Sequence, residues 1–352
     1  MLNPASARYE LNCMSIINFF LDLRVLRATS FTQMIKMADF QPKSILIFGA
    51  TGNIGRYITN AIANAQPAFD HVAIFTSEDT VARKPELIKE LKSKAVNIIT
   101  GDVNNPEDVK RAYQGVDTVI SAVGRNVIET QIELFKLAAE SGSVKWFFPS
   151  EYGTDIEYGP QSASEKPHQL KLKVRKYIRE NANGLKYTFV VTGPYIDMYF
   201  TLSPDVVEAG GFDHKNKKAV LIDNGEGKIG FTTMPDVGKA VVAALHHPAE
   251  SFNRALIVQS FVVNSKQILK ELENQTGGEP WEVSSYTLDE LREAEKKGWA
   301  AGNPKAVSYT LRRIWSEGGT LYEKTDNERI GLKEDDLETL EDAVKRELTT
   351  GY

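Results

Sequence analysis

The 352-residue sequence predicts an α/β fold, with a doubly wound parallel sheet followed by a smaller C-terminal α/β region. Three observations predict this fold. An apolar run near residue 50 leads through a glycine-rich turn into an amphipathic segment, apolar and amphipathic segments then alternate as far as Tyr195, and the alternation stops beyond it. Alternation at this spacing is typical of right-handed βαβ units, which build a parallel sheet covered by helices on both faces.

The first of these segments, Ser44 to Gly55, reads SILIFGATGNIG. Gly49 permits a sharp exit from the strand, Gly52 lets backbone N–H groups approach a pyrophosphate, and Gly55 allows the following helix to pack closely. A tight turn without a ligand is the alternative, but the flanking strands and the amphipathic helix are the context that a dinucleotide-binding turn requires. We therefore interpret Gly49, Ala50, Thr51, Gly52, Asn53, Ile54 and Gly55 as cofactor-binding residues.

Further strands are predicted at Val72–Phe75, Val96–Thr100, Asp117–Ala122 and Val144–Phe148, with helices between them. Ligands of such sheets bind at the carboxyl ends of the strands. We therefore expect one crevice lined by Phe48-Gly49, Phe75-Thr76-Ser77, Gly101-Asp102, Ala122-Val123-Gly124 and Pro149-Ser150-Glu151.

The end of the second strand bears on the choice between NAD and NADP. An acidic residue there would bind the ribose hydroxyl of NAD, whereas basic residues favour the 2′-phosphate of NADP. The strand ends in the neutral Thr76, and Arg83 and Lys84 follow, so we predict NADP. Glu78 and Asp79 leave NAD as the alternative, provided that the strand extends two residues further.

A helix predicted after Pro167 carries an apolar stripe formed by Leu170, Val174, Tyr177 and Ile178. Lys171 and Lys173 fall at the two borders of this stripe. A lysine in such a position either reaches water or projects its ammonium into a neighbouring cleft, and the spacing does not choose between the two lysines. The Tyr-x-x-x-Lys pair typical of common short-chain dehydrogenases is absent from this part of the sequence.

The chain beyond Tyr195 contains predicted strands at 219–223, 228–232 and 255–259, and a helix that we expect Asp236 to cap. The segment 288–348 predicts amphipathic helices that act partly as a solvated cap and partly as a lid over the crevice. We therefore expect a nucleotide-binding domain of the Rossmann type over 42–195, and a substrate-binding region with a helical cap, interleaved with the sheet, over 196–352. His246 and His247 have no acid or cysteine at ligand spacing, so no metal site is expected.

Composition excludes several classes of protein. The net charge of −5 and scattered basic residues give no footprint for nucleic acid, and the single Cys13 fits a reducing compartment. The apolar stretch MSIINFFLDLRVL is too short and too charged to span a membrane. We interpret residues 1–41 as an extension, either disordered or upstream of a start at Met37, with a transit peptide as the weaker reading. A cytoplasmic protein is expected, and its oligomeric state is left open, a homodimer included.

Five segments together resemble the isoflavone reductase and phenylcoumaran benzylic ether reductase family, an NmrA-like branch of the atypical short-chain dehydrogenases. They are GATGNIG at 49–55, DTVISAVG at 117–124, WFFPSEYG at 146–153, QLKLKVRKYI at 169–178 and MPDVG at 234–238. The resemblance implies NADP-dependent reduction of a small aromatic compound, a catalytic role for Lys171 and an association of Arg175 with the cofactor site.

Two departures from that family limit what the resemblance implies. Plant members often carry arginine where Thr76 stands, so the 2′-phosphate contact would fall on Lys84 or Arg83. Their motif has phenylalanine in place of Tyr152, and Thr192-Gly193-Pro194 replaces their Ser-Asn segment. The identity of the substrate therefore does not transfer.

Two functions follow from the sequence. The first is an NADPH-dependent reductase in which the Lys171 ammonium protonates the developing oxyanion, with a pKa lowered by burial and raised by the nearby Glu151. The second is a non-catalytic NmrA-like sensor that binds NAD(P) and reports its ratio to a protein partner. The sensor needs the glycine turn but no proton donor, so the presence of Lys171 favours the reductase.

Overall fold

Residues 40–350 are the part of the chain that the computed structural model describes. Their strands are β1 (Ser44–Phe48), β2 (His71–Thr76), β3 (Asn97–Thr100), β4 (Thr118–Ser121), β5 (Trp146–Phe148), β6 (Lys186–Val191), β7 (Gly211–Asp213), β8 (Lys218–Ile222), β9 (Lys228–Phe231), β10 (Arg254–Ile257), β11 (Phe261–Asn264) and β12 (Glu282–Tyr286). The extension expected over residues 1–41 lies outside the described residues, apart from its last two.

Seven of these strands form one sheet in the order β10-β6-β5-β4-β1-β2-β3, and all neighbouring pairs are parallel. The reversal of strand order at β1 and β4 is the topological switch point of a doubly wound fold. The central strand β1 is buried from Ile45 to Phe48, as expected for a strand that is covered by helices on both faces. The predicted parallel sheet is thus confirmed. Its edge strand β10 comes from the second half of the chain.

The helices are α1 (Asn53–Ala63), α2 (Glu78–Arg83), α3 (Pro85–Ser93), α4 (Pro106–Ala112), α5 (Thr130–Glu140), α6 (Gln169–Asn181), α7 (Ile196–Tyr199), α8 (Met234–His246), α9 (Pro248–Ser251), α10 (Ser265–Gln275), α11 (Leu288–Ala300), α12 (Ala306–Ser316) and α13 (Leu340–Thr350). No helix within residues 40–350 has the length and apolar character needed to cross a membrane. In α6, Val174 and Ile178 are buried as predicted, but Leu170 at the first turn is 41% exposed because the apolar contact begins one turn later.

The helix α8 begins earlier than the sequence indicated. Its N-cap is Thr233, whose hydroxyl accepts a hydrogen bond from the Asp236 N–H, so the prediction that Asp236 is the cap was wrong. The Asp236 carboxylate instead accepts hydrogen bonds from the Ser260 hydroxyl at 2.6 Å and from the Glu338 N–H at 3.0 Å. It therefore ties the helix to two distant segments of the chain.

The second half of the chain adds two small sheets and a group of helices. One sheet has the order β12-β8-β7, and β11 pairs with β9 in the other. The helices α11 and α12 pack on the turn before β7 through Val206, Ala209, Leu291, Ala306 and Tyr309. This packing holds α12 beside the end of β6 and the start of α6, where a cavity is formed.

Candidate active site

The glycine turn after β1 leaves no room for a side chain at two positions. Gly49 has a φ of +72°, and a Cβ there would collide with the Ala122 carbonyl group. A Cβ at Gly55 would collide with the Gly49 carbonyl oxygen. The turn is closed by a hydrogen bond of 2.9 Å from the Gly52 N–H to the Gly49 carbonyl oxygen. The first turn of α1 therefore lies directly against the strand exit.

The N-terminus of α1 leaves hydrogen-bond donors available. Its N-cap, Gly52, has no side chain, and within residues 40–350 no hydrogen bond uses the N–H groups of Asn53, Ile54 or Gly55. Such a helix start, with its positive dipole end, is a ready anion-binding site. Ala50 is buried beneath the turn, and the Thr51 carbonyl oxygen accepts a hydrogen bond of 2.7 Å from Lys84 Nζ.

A cavity of about 660 Å³ lies at the carboxyl ends of β1 to β4, and we call it the strand-end crevice. Its lining includes most of the segments predicted to meet there: Phe48, Gly49, Phe75, Thr76, Ser77, Gly101, Asp102 and Val123. Glu78, Asp108 and Arg111 line it as well. Arg111 was not predicted, because it lies on α4 and only the pairing of β3 with β2 brings that helix to the crevice. The Pro149 to Glu151 segment does not line this crevice.

The two basic residues predicted to bind a 2′-phosphate have different partners. Arg83 is exposed and pairs with Asp79 at 2.5 Å. Lys84 contacts the glycine turn, as described above, and neither residue lines the strand-end crevice. Strand β2 ends at Thr76, so Glu78 lies in α2 rather than in an extended strand, although it lines the crevice. The roles of Arg83 and Lys84 remain predictions.

A second cavity of about 460 Å³ is lined by residues that follow β4, β5 and β6, and we call it the lysine cavity. Its wall is mostly apolar and aromatic. It is built from parts of the chain that are far apart in the sequence: Arg125, 152–156, 167–171, 193–198, 201–210 and α12. The lining includes Arg125, Tyr152, His168, Lys171, Tyr195, Leu311, Arg312 and Trp315.

Of the two lysines that the sequence left open, Lys171 lines this cavity, whereas Lys173 is exposed and pairs with Glu129 at 2.5 Å. The Lys171 ammonium donates a hydrogen bond to the Glu151 carbonyl oxygen. Burial lowers the pKa of Lys171 from 10.5 to about 8; the charge of Glu151 opposes this shift, and Arg125 and Arg175 add to it. The group is therefore mostly protonated at neutral pH, yet close to the range in which it can release a proton.

Arg175 lies beneath the loop that carries Glu151 and lines neither cavity. Its side chain is 1% exposed and pairs with Glu151 at 3.0 Å and with Glu157 at 2.6 Å. Because Arg175 neutralises the Glu151 carboxylate, it weakens the field that would otherwise raise the pKa of Lys171 further. Its association with the cofactor site stays a prediction.

Three buried polar atoms that belong to residues lining the lysine cavity have no hydrogen-bond partner within residues 40–350. They are Tyr152 Oη, His168 Nε2 and Arg312 Nη1. Burial raises the pKa of Tyr152 and lowers that of His168 to about 4, so both side chains are neutral at pH 7. Buried polar groups are normally satisfied, and these three atoms are enclosed by the surrounding protein, so their side chains must shift slightly before any of them meets a ligand in the cavity.

His168, Arg312 and Trp315 were missed by sequence reasoning. His168 lies three residues before Lys171 and gave a usable signal, because the i, i+3 spacing puts both side chains on one helical face. Arg312 and Trp315 gave no local signal. They lie in α12, and only the packing of that helix over the cavity brings them to the site.

The fold and the two cavities define a doubly wound α/β protein with a dinucleotide-type glycine turn and a separate small-molecule cavity that contains a lysine. A model of the NmrA-like family matches residues 41–284, and the chain belongs to this family, in its isoflavone reductase and phenylcoumaran benzylic ether reductase group. No group of three or more His, Cys, Asp or Glu side chains that could hold a metal ion occurs in the described part of the chain.

The chain is similar to phenylcoumaran benzylic ether reductase PT1 of Pinus taeda, with 31% identity over 61% of this chain and 68% of the relative. It is also 31% identical to isoflavone reductase of Pisum sativum, over 61% of this chain and 69% of the relative. A crystal structure of isoflavone reductase superposes with a TM-score of 0.72 and 24% identity, and covers 87% of this chain and 99% of that one. The NADPH complex of leucoanthocyanidin reductase from Vitis vinifera gives a TM-score of 0.70 at 21% identity, over 87% and 100% of the two chains. These superpositions show the shared fold.

Proposed function

We propose that the protein is an NADPH-dependent reductase of a small aromatic or conjugated compound, in which Lys171 is the acid that assists hydride transfer. One observation carries the proposal: the Lys171 ammonium lines an apolar cavity, and burial lowers its pKa to about 8. A solvated lysine would titrate more than two units higher. Relatives of this chain are named as reductases, which supports the same class of activity.

The residues of the strand-end crevice fit a dinucleotide cofactor. The free N–H groups at the start of α1, next to the crevice residue Gly49, would hold the pyrophosphate, and Thr76 in the crevice lining would contact the adenosine ribose. When bound, NADPH supplies the hydride. NADP(H) is present in solved structures of similar proteins, which supports this cofactor over NAD.

The residues around Lys171 suit proton donation to an oxyanion. Its Nζ atom is oriented by the Glu151 carbonyl oxygen, and that loop is fixed from below by the ion pair between Glu151 and Arg175. In a cavity with apolar walls, an ammonium interacts with a developing negative charge more strongly than it would in water. Tyr152, Tyr195 and Trp315 give the cavity aromatic walls that match a ring-bearing substrate.

The test compares Lys171→Ala with Lys173→Ala as a matched control on the same helix. NADPH consumption is measured with a panel of aromatic enones and benzylic ethers, and NADPH binding is measured separately. Lys171→Ala should lower turnover by at least about a hundredfold while NADPH affinity stays within about twofold. Lys173→Ala should change neither quantity, because Lys173 is exposed and its pair with Glu129 lies on the surface.

Unchanged turnover in Lys171→Ala would remove this residue from the mechanism. Tight NADPH binding by the wild-type protein without consumption across the panel, together with a co-purifying protein partner, would favour the sensor instead. The cytoplasmic location and a homodimer stay predictions, which cell fractionation and size-exclusion chromatography with light scattering would test.

A further inference from the structure

The lysine cavity is lined by three cationic side chains and, within residues 40–350, by no aspartate or glutamate. The cations are Arg125, Lys171 and Arg312. None of the three takes part in a side-chain ion pair in the described part of the chain. A cavity with mostly apolar walls and an unbalanced positive charge selects for an anionic ligand.

Arg125 and Arg312 have no role in the proposed reaction, and Arg312 is the more deeply buried of the two. It is 7% exposed, and its guanidinium lies 3.5 Å from the centre of the Tyr199 ring. Its Nη2 atom donates a hydrogen bond of 3.0 Å to the Tyr199 carbonyl oxygen, while Nη1 has no partner among the described residues. Aromatic faces and one carbonyl oxygen hold the guanidinium in place but leave its charge uncompensated.

The next residue in α12 shows the contrast. Arg313 is also largely buried, but it pairs with Glu295 at 2.6 Å, Glu165 at 2.7 Å and Glu317 at 3.0 Å. Buried charges are normally paired in this way, because an unpaired one loses its hydration without compensation. The missing counter-charge of Arg312 is therefore expected to arrive with a ligand.

We propose that the lysine cavity takes an aromatic substrate that carries a carboxylate, and that Arg312 binds this carboxylate. The proposal rests on the proposed function, since it names the substrate class of the same site. A planar guanidinium matches the two oxygens of a carboxylate, and the mostly apolar wall around it suits the ring that carries this carboxylate. Tyr152 and Trp315 supply ring contacts elsewhere in the same cavity.

The test measures binding rather than turnover. 4-Hydroxycinnamate and its methyl ester are titrated calorimetrically into the full-length protein, with NADP⁺ present so that no reduction occurs. The wild-type protein should bind the acid at least about tenfold more tightly than the ester. Arg312→Gln should weaken binding of the acid to the level of the ester, and Arg312→Lys should retain part of the preference. Leu311→Ala, a neighbour that also lines the cavity, should weaken both ligands equally because it removes only apolar contact.

A wild-type protein that binds the ester as tightly as the acid, or binds neither, overturns the proposal without the use of any variant. An equal loss for both ligands in a folded Arg312→Gln, or a loss of NADP⁺ binding instead, also overturns it. Thermal unfolding of each variant checks that it is folded. The reductase proposal fails by a different result. If the protein binds the acid but consumes NADPH with no carboxylate substrate, the subsite is kept and the reaction is rejected. If it turns over neutral substrates alone, the reaction is kept and the subsite is rejected.

Discussion

The two cavities of this protein are built in opposite ways. The strand-end crevice is formed by residues that follow one another at the ends of neighbouring parallel strands, and acids such as Glu78, Asp102 and Asp108 line it beside Arg111. The lysine cavity is formed by large side chains from distant segments, and its charged lining residues are all basic within residues 40–350. The first suits a cofactor that is held by N–H groups, and the second suits a variable small molecule.

This difference has a physical origin. A backbone turn that binds phosphate tolerates little change, because the glycine positions are fixed by collisions with main-chain atoms. A cavity lined by side chains can change its size and charge through single substitutions while the sheet beneath it stays the same. We therefore expect substitutions in the crevice to affect cofactor binding alone, and substitutions in the lysine cavity to affect substrate and chemistry alone.

The largest effect that we expect from the difference between the two cavities is the loss of NADPH affinity in Gly55→Ala. The new Cβ would collide with the Gly49 carbonyl oxygen, which is main chain and cannot rotate away, so the turn must open. Overpacking of about 1 to 3 kcal/mol at the binding turn corresponds to a loss of NADPH affinity of up to about a hundredfold. Gly227→Ala is the control, since its Cβ would meet only ordinary contact at 3.8 Å. Unchanged NADPH binding in a folded Gly55→Ala would show that the turn does not hold the cofactor.

The sequence predicted the crevice well and the lysine cavity poorly. Strand ends such as Phe48-Gly49 and Thr76-Ser77 could be assigned to one edge because parallel strands end together, and the structure brings them there. The lysine cavity depends on α12, which contributes Arg312 and Trp315 from more than a hundred residues beyond Lys171. Helix amphipathicity predicts that α12 has a buried face but not what that face packs against.

The second prediction tests whether NADPH is distinguished from NADH near the end of β2. In the Arg83→Ala, Lys84→Ala double variant, NADPH binding should weaken by at least about tenfold and NADH binding should change little, because only NADPH carries the 2′-phosphate. The dissociation constants of both cofactors are measured. Equal losses for the two would assign Lys84 to support of the glycine turn through the Thr51 carbonyl oxygen, and a wild-type preference for NADH would point to Glu78.

The third prediction concerns pH. Lys171 has its pKa lowered to about 8, so the proton-donating ammonium predominates below pH 8 and is lost above it. The rate of reduction should be level below pH 8 and fall about tenfold per unit above it. Arg125→Gln removes a like charge and should move this limb to higher pH, whereas Lys173→Gln should leave it in place. A limb that begins near pH 10.5 would indicate a solvated lysine and contradict the burial argument.

The smallest expected effect is from Tyr152→Phe, which brings in the residue of the plant motif. The Tyr152 hydroxyl is buried without a hydrogen-bond partner in the described part of the chain, so its removal should stabilise the protein by about 1 kcal/mol. Tyr113→Phe is the matched control, because that buried hydroxyl donates a hydrogen bond of 3.0 Å to the Leu134 carbonyl oxygen and its removal should destabilise by about the same amount. Denaturant unfolding of both variants measures these opposite signs. Destabilisation of both variants would mean that the Tyr152 hydroxyl has a hydrogen-bond partner inside the protein. If Tyr152→Phe is instead stabilised and its KM for the substrate rises, the fold keeps this hydroxyl for the substrate at a cost to its own stability.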